Sequence, residues 1–241
     1  RRVLAIGLMR RFFPATQTIR QVLAQGILGK VKTFVCQEGS HFQWPTRSAS
    51  FFQRSAARGG VLLDIGVHLL DLLIWWWGPP VEVEYEDDSM GGVEANCRIR
   101  LRFAQGHSGE VRLSRDWPLA NRYVIECERG WLSWQVHEAA KVQLGFTGVD
   151  HVLDGSLHQP AAQQRGLGQP GFTFEQSFVN QVLDVAAAVQ GQGQPLVSGA
   201  EGLHSLRLIE QCYQQRTVMP MPWLSANEQE MARQLSQQAT A

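Results

Sequence analysis

From Val93 to Phe103 apolar and polar residues alternate without interruption. Val93, Ala95, Cys97, Ile99, Leu101 and Phe103 fall on one side, and Glu94, Asn96, Arg98, Arg100 and Arg102 on the other. Period two marks a strand with one buried face. Val111 and Leu113 continue the pattern after a Gly-containing turn at 105–109, and segments 123–125 and 131–134 follow, joined by Glu128-Arg129-Gly130. The pattern predicts an antiparallel meander with one apolar and one Arg-rich face, the latter (Arg98, Arg100, Arg102, Arg112) solvated or in an oligomer contact.

An apolar sheet face needs a cover. Residues 61–77 are almost wholly apolar and stop at Gly78-Pro79-Pro80, which predicts a helix buried on nearly all sides. The run is short for a bilayer core of ~20 residues and carries Asp64, His68 and Asp71, so it reads as a core helix rather than a span. Other helices are predicted from Pro14 to the glycines at 26 and 29, over 174–189 and over 200–215. Short strands are predicted at 3–8 and 31–35, and a loop rich in Gly, Gln, Pro and His over 154–171. The expected fold is α+β, a predominantly antiparallel open sheet with helices packed on one face. Three parts are expected: a strand and junction at 1–13, the main domain at 14–224, and a polar Gln-rich tail at 225–241.

The 241 residues are 44% hydrophobic and 18% charged, enough for a real core. Lys plus Arg equals Asp plus Glu at 22 each, so no global field draws in nucleic acid or an anionic membrane. Cys36, Cys97, Cys127 and Cys212 are scattered, with no CxxC pair. With no signal peptide visible, reduced thiols in a cytoplasmic protein are expected. The opening Arg1-Arg2-Val3 lacks an initiator Met, which suggests a fragment or a processed chain.

The chemistry concentrates in Asp64-x-Gly66-x-His68-x-x-Asp71. On a helix these positions share one face, forming a polar stripe on the most apolar helix of the chain. Buried ionisable groups are costly unless paired or facing a wet cavity. A histidine beside carboxylates can take a proton from an alcohol. The blander alternative makes Asp64 a cap and His68 a satisfied core residue. A third makes Asp64, His68 and Asp71 ligands of zinc or manganese in a hydrolase, without a second His cluster to support it.

The run from Gly59 to Asp71 (Gly-Gly-Val-Leu-Leu-Asp-Ile-Gly-Val-His-Leu-Leu-Asp) resembles the signature helix of the glucose–fructose oxidoreductase/inositol dehydrogenase/rhizopine catabolism (Gfo/Idh/MocA) family. Arg10-Arg11-Phe12-Phe13-Pro14, Gly26-Ile27-Leu28-Gly29-Lys30-Val31, the meander to Trp134, the segment Pro195–Gly202 and Pro222-Trp223 are similar too. The resemblance implies the substrate domain of an NAD- or NADP-dependent oxidoreductase acting on a sugar, sugar-derivative or cyclitol alcohol. His68 would be the acid/base and Asp64 its partner. Asp71, His41, Trp44 and Arg47 would lie toward the substrate, and Arg11 would be a cofactor contact or a structural bridge. It also implies a homo-oligomer through the open sheet face.

The chain departs from the family in one large respect. No G-x-G-x-x-G follows a strand, and Gly191-Gln192-Gly193 lies between predicted helices. The expectation is that the nucleotide-binding domain is absent, with residues 3–8 the remnant of its last strand, and that this chain alone is inactive. A non-catalytic binding or dimerisation module is the alternative.

Overall fold

A computed structural model describes residues 2–43, 45–46, 48–157 and 173–238. Among them runs one nine-stranded sheet: β1 (Val31–Gly39), β2 (Pro80–Asp87), β3 (Asn96–Phe103), β4 (Ser108–Ser114), β5 (Arg122–Cys127), β6 (Gly130–Gln135), β7 (Lys141–Phe146), β8 (Val152–Ser156) and β9 (Thr217–Val218). The spatial order is β8-β7-β6-β5-β1-β4-β3-β2-β9. The helices are α1 (Pro14–Ala24), α2 (Arg54–Ala57), α3 (Val67–Trp77), α4 (Phe174–Val189), α5 (Gly199–Gln214) and α6 (Ala226–Gln238).

The sheet is predominantly antiparallel, as expected, but two parallel pairings make it mixed. β4 and β5 run in opposite directions, and β1 lies between them, so it must be parallel to one: it pairs parallel with β4 and antiparallel with β5. β9 also joins β2 in parallel. The predicted strand at 3–8 is reduced to one bridge, Ala5 to Ser198, because its backbone pairs with the turn before α5 rather than with the sheet. The predicted loop begins as β8 at 152–156, and residues 158–172 lie outside the described residues. β2 and β7 complete a meander longer than the alternation first suggests.

Inward residues of β3, β4 and β5 (Ile99, Val111, Ile125 among them) meet Leu69, Leu70, Leu72 and Leu73 of α3, all fully buried. The segment Arg54–Trp77 is long and apolar enough to cross a bilayer by length and composition, and here its leucines fill the core. On the outer face, Glu82, Glu84 and Glu86 of β2 stand opposite Arg102, Arg100 and Arg98 of β3. Each pair forms a cross-strand ion pair, and Glu110 joins Arg100 and Arg112. The Arg-rich face is thus charge-balanced, although pairs this exposed each contribute little.

What fixes α3 against the rest is a deeper pair. Arg11, on a 3-10 turn at Met9–Phe12, grips both carboxylate oxygens of Asp71 at 2.9 and 2.6 Å and reaches Glu201 of α5 at 2.8 Å. Both side chains of the Arg11–Asp71 pair are 2% exposed. Burial lifts the Asp71 carboxyl above its usual value, and Arg11 pulls it back. Removing one partner of such a pair leaves a buried charge uncompensated. Asp71→Asn is expected to cost about 3 kcal/mol, while the double variant Arg11→Met, Asp71→Leu recovers most of that loss. Urea midpoints test this, and a double variant no better than the sum of the singles rejects it.

Candidate functional site

The site begins with how α3 starts. A π-helical turn, Leu62–Gly66, precedes it. The N–H groups of Gly60 and Leu62 both donate to Glu94 Oε1 at 3.0 Å, and the Tyr213 hydroxyl donates to the same oxygen at 2.8 Å. A buried carboxylate therefore takes up donors that a helix start leaves open. Gly60 is required by space: a Cβ there would lie 2.0 Å from Glu94 O. Gly66 likewise lets the turn approach β4, since a Cβ would sit 2.9 Å from a Leu113 methyl.

His68, in the first turn of α3, projects into a cleft of about 580 Å³ shared with Arg10, Glu38, Asp64, Arg115, Asn121 and His137. Its Nδ1 is buried and has no hydrogen-bond partner, so no neighbour fixes the tautomer through that nitrogen. Burial first, and then the charge of Arg10, lower its pKa to about 4, against the opposing pull of Glu38 and Asp64. At neutral pH the imidazole is uncharged.

Beside it, Arg10 forms a two-pronged pair with Glu38 at 2.6 and 2.8 Å, and its Nη1 also donates to the Tyr123 hydroxyl at 3.0 Å. Tyr123 in turn donates to Glu38. Burial alone would lower the Arg10 pKa, but Glu38 and Tyr123 more than offset it, so the guanidinium stays charged. The end of β1 that carries Glu38 is held by Asn121, whose side-chain amide accepts from Gly39 N–H at 2.9 Å and donates to Gly39 C=O at 3.1 Å. Arg10, Glu38, Arg115, Asn121 and His137 were not singled out in the sequence. Glu38 carries a visible signal: it shares the inward face of β1 with Phe34 and Cys36.

The polar stripe does not converge on one point. Asp64 pairs with Arg115 at the rim of the cleft rather than hydrogen-bonding His68, and its influence on the imidazole is electrostatic. Asp71 lies behind the cleft in the grip of Arg11, so Arg11 is a structural bridge here and Asp71 faces no open space. The arrangement required of three metal ligands is not present in Asp64, His68 and Asp71. His41 is exposed and does not line the cleft. Trp44 and Arg47 lie outside the described residues. A larger groove of about 810 Å³, bordered by Trp117, Trp223, Arg98 and Arg112, contains no described histidine. His68 and His137 both line the smaller cleft.

Residues 16–133 match the family model described as the GFO/IDH/MocA C-terminal domain. Trans-1,2-dihydrobenzene-1,2-diol dehydrogenase of Bos taurus is 28% identical over 127 residues, covering 50% of this chain and 36% of that protein. Rhizopine catabolism protein MocA of Rhizobium meliloti is 30% identical over 122 residues, 48% of this chain and 37% of its own length. Among solved structures, aldose-aldose oxidoreductase from Caulobacter crescentus, complexed with glycerol, superposes with a TM-score of 0.70 at 24% identity, covering 89% of this chain and 62% of that one. Levoglucosan dehydrogenase in complex with NADH and levoglucosan gives 0.72 at 19% identity, covering 88% and 65%. The chain thus spans little more than a third of these curated relatives and under two thirds of these solved chains. The segment 16–133, which contains α3 and most of the cleft, is thus identified as a GFO/IDH/MocA C-terminal domain.

Proposed function

We propose that this chain forms the substrate side of an NAD- or NADP-dependent oxidoreductase that acts on a secondary alcohol of a sugar, sugar derivative or cyclitol, with His68 as acid/base. The observation that carries this reading is an uncharged histidine, with its Nδ1 unpartnered, in a cleft lined by hydrogen-bonding groups. The names of the relatives agree: a diol dehydrogenase among the curated proteins and a levoglucosan dehydrogenase with NADH among the solved structures.

The described residues fit one end of a nicotinamide nucleotide. Gly7 and Met9 line the cleft together with His68, and a Cβ on Gly7 would meet nothing within 4 Å, so the wall at Gly7 is open. Among the described residues no glycine-rich strand–turn–helix offers amides to a diphosphate. The adjoining surface of α4 is apolar, with Val182 67% and Leu183 52% exposed, and Leu4 is equally bare. We assign that surface to a nucleotide-binding domain.

A nicotinamide held beside the cleft would supply the hydride acceptor for the carbinol carbon. The remaining work falls to this chain. His68 receives the hydroxyl proton as the C–H bond breaks, and returns it in the reverse direction. Glu38 and Asp64 stabilise the imidazolium that forms, and Arg10 and burial limit how long it holds the proton. Ser40, the remaining lone pair of Asn121 Oδ1 and the Arg115–Asp64 pair at the rim are the polar groups left to orient the other hydroxyls. We further assign the charge-alternating outer sheet face to self-association, and the four buried free cysteines suit the reducing cytoplasm.

In the protein that carries this chain, assayed with NAD⁺ and NADP⁺ on aldoses, cyclitols and cyclic diols, His68→Asn is expected to lower kcat by roughly 10²- to 10⁴-fold. Cofactor affinity should not change. Full turnover by this variant rejects the assignment.

A second prediction concerns folding. The folded-state pKa of His68, about 4, lies below the ordinary imidazole value of 6.5, so the unfolded chain binds more protons between the two. The stability this neutral imidazole contributes is complete above pH 6.5 and lost as pH falls through 4, at most about 3 kcal/mol. His68→Gln should flatten the pH dependence of the urea midpoint in that window. Parallel curves for the two proteins would show that another group titrates.

A further inference from the structure

A second cluster of buried ionisable groups lies behind the start of α3, centred on Glu94. By its phase in the alternating run Glu94 belongs with Arg98 and Arg100 on the outer face. It stands ahead of β3, which begins at Asn96, and is only 2% exposed. Burial raises its carboxyl above the usual value, and hydrogen bonds, those from Tyr213 and Leu62 among them, pull it back. Oε1 receives three donors, whereas Oε2 is buried with no hydrogen-bond partner among the described residues. A proton on Oε2 would thus have no acceptor, so the cluster is built for a carboxylate.

The same short segment braces both members of the ion pair at the cleft rim. On one side, Glu94 Oε1 accepts from the Gly60 N–H at 3.0 Å, and the Gly60 carbonyl accepts from the Asp64 N–H at 3.0 Å. On the other, the Ala95 carbonyl accepts from the Arg115 N–H at 2.8 Å. The Glu94 carbonyl adds a bond from the Val61 N–H at 3.0 Å. Asp64 and Arg115 therefore meet with their backbones tied, directly or through Gly60, to two adjacent residues. The rest of the π-turn joins Asp64 to His68, so a displacement of one carries to the other.

Tyr213 closes the brace from α5. Burial first, and then Glu94, raise its pKa, so its hydroxyl stays a donor at neutral pH. A Cβ on Gly59 would come 2.2 Å from that hydroxyl oxygen. A π-turn is a rare departure from α-helical bonding that recurs at functional sites. Here its support comes from outside the helix.

We infer that Glu94, held by Tyr213, is a positioning residue of the cleft: its carboxylate keeps Leu62–Gly66 in the π form, seats Asp64 against Arg115 and aims His68 at the substrate. This role rests on the reading of His68 as acid/base. Glu94 itself touches no reacting atom and works through Gly60, Asp64 and the turn between Asp64 and His68.

Two measurements test it, one of them independent of turnover. In NMR titrations of the chain, the His68 imidazole of Glu94→Ala should titrate about one unit or more above that of the unaltered chain. Burial is the largest cause of its low value, and a loosened turn admits water. The charged and titratable groups that share the cleft with His68 are Arg10, Glu38, Asp64, Arg115 and His137, and these variants alter none of them. His137, on the turn after β6, is the internal control and should not move. Glu94→Gln keeps Oε1 as acceptor and should stay close to the unaltered chain. Tyr213→Phe removes one donor and should fall between, and it decides the matter if Glu94→Ala does not fold. In the protein that carries this chain, Glu94→Ala should lower kcat about 10- to 100-fold with KM for the nicotinamide nucleotide unchanged, and Glu94→Gln should restore most of the loss. An unmoved His68 in both Glu94→Ala and Tyr213→Phe overturns the role. So does a shift shared equally by His68 and His137, which marks general loosening. If His68→Asn keeps full turnover, the acid/base reading falls, and the His68 titration still decides whether Glu94 holds the turn.

Discussion

Two consecutive arginines, both buried, set the frame on which the cleft depends. On the 3-10 turn Met9–Phe12, successive side chains point about 120° apart. Arg10 therefore goes to Glu38 on the sheet, and Arg11 to Asp71 on α3 and Glu201 on α5. A buried guanidinium without its carboxylate costs several kcal/mol. The turn can sit only where both partners are in reach. That double condition ties β1 to α3 at one register, and His68, one turn before Asp71, inherits its position from it. Packing of the leucines on α3 supplies far more free energy, but apolar contacts alone would tolerate small slides and rotations.

The parts of this arrangement that are local were legible. Period-two alternation marks β3, and a run of leucines and tryptophans marks α3, because each element's pattern is written within its own dozen residues. β2 is written as plainly, with Val81, Val83 and Tyr85 alternating with Glu82, Glu84 and Glu86, yet its charges make sense only opposite the arginines of β3. The final helix also announces itself. Ser225 and Glu228 make the reciprocal contacts of a capping box, with Ser225 N–H donating to Glu228 at 2.8 Å. The tail reads as polar with at most a marginal helix, because a helix with few apolar residues has little periodicity to show.

The long-range partners could not be read in the same way. Helical spacing places Asp64, His68 and Asp71 on one stripe, and that spacing is real, but it says nothing of what approaches from outside. Arg115 lies 51 residues from Asp64, and Arg11 lies 60 residues from Asp71. Each takes its carboxylate in a different direction. The π-turn at Leu62–Gly66 has no sequence period either. It follows from close approach at Gly60 and Gly66, where Glu94 and Leu113 come from strands or loops far along the chain. Glu38 and Arg10 show the intermediate case. A carboxylate on an inward strand face and an arginine in an apolar stretch are each visible as anomalies, but nothing in the sequence pairs them.

The pairing of charges bears on how a weakly basic histidine can serve. Were Arg10 alone beside His68, the imidazole would rarely accept a proton. Glu38 and Asp64 pull the other way, toward the protonated form. With all three present their effects largely oppose one another, and burial decides the balance in favour of the neutral form. In the proposed oxidation, the imidazolium would be stabilised by carboxylates already in place, without any group having to move. The same burial and the same arginine would then favour passing the proton on. The Arg10–Glu38 and Arg115–Asp64 pairs thus set opposing charges beside one histidine.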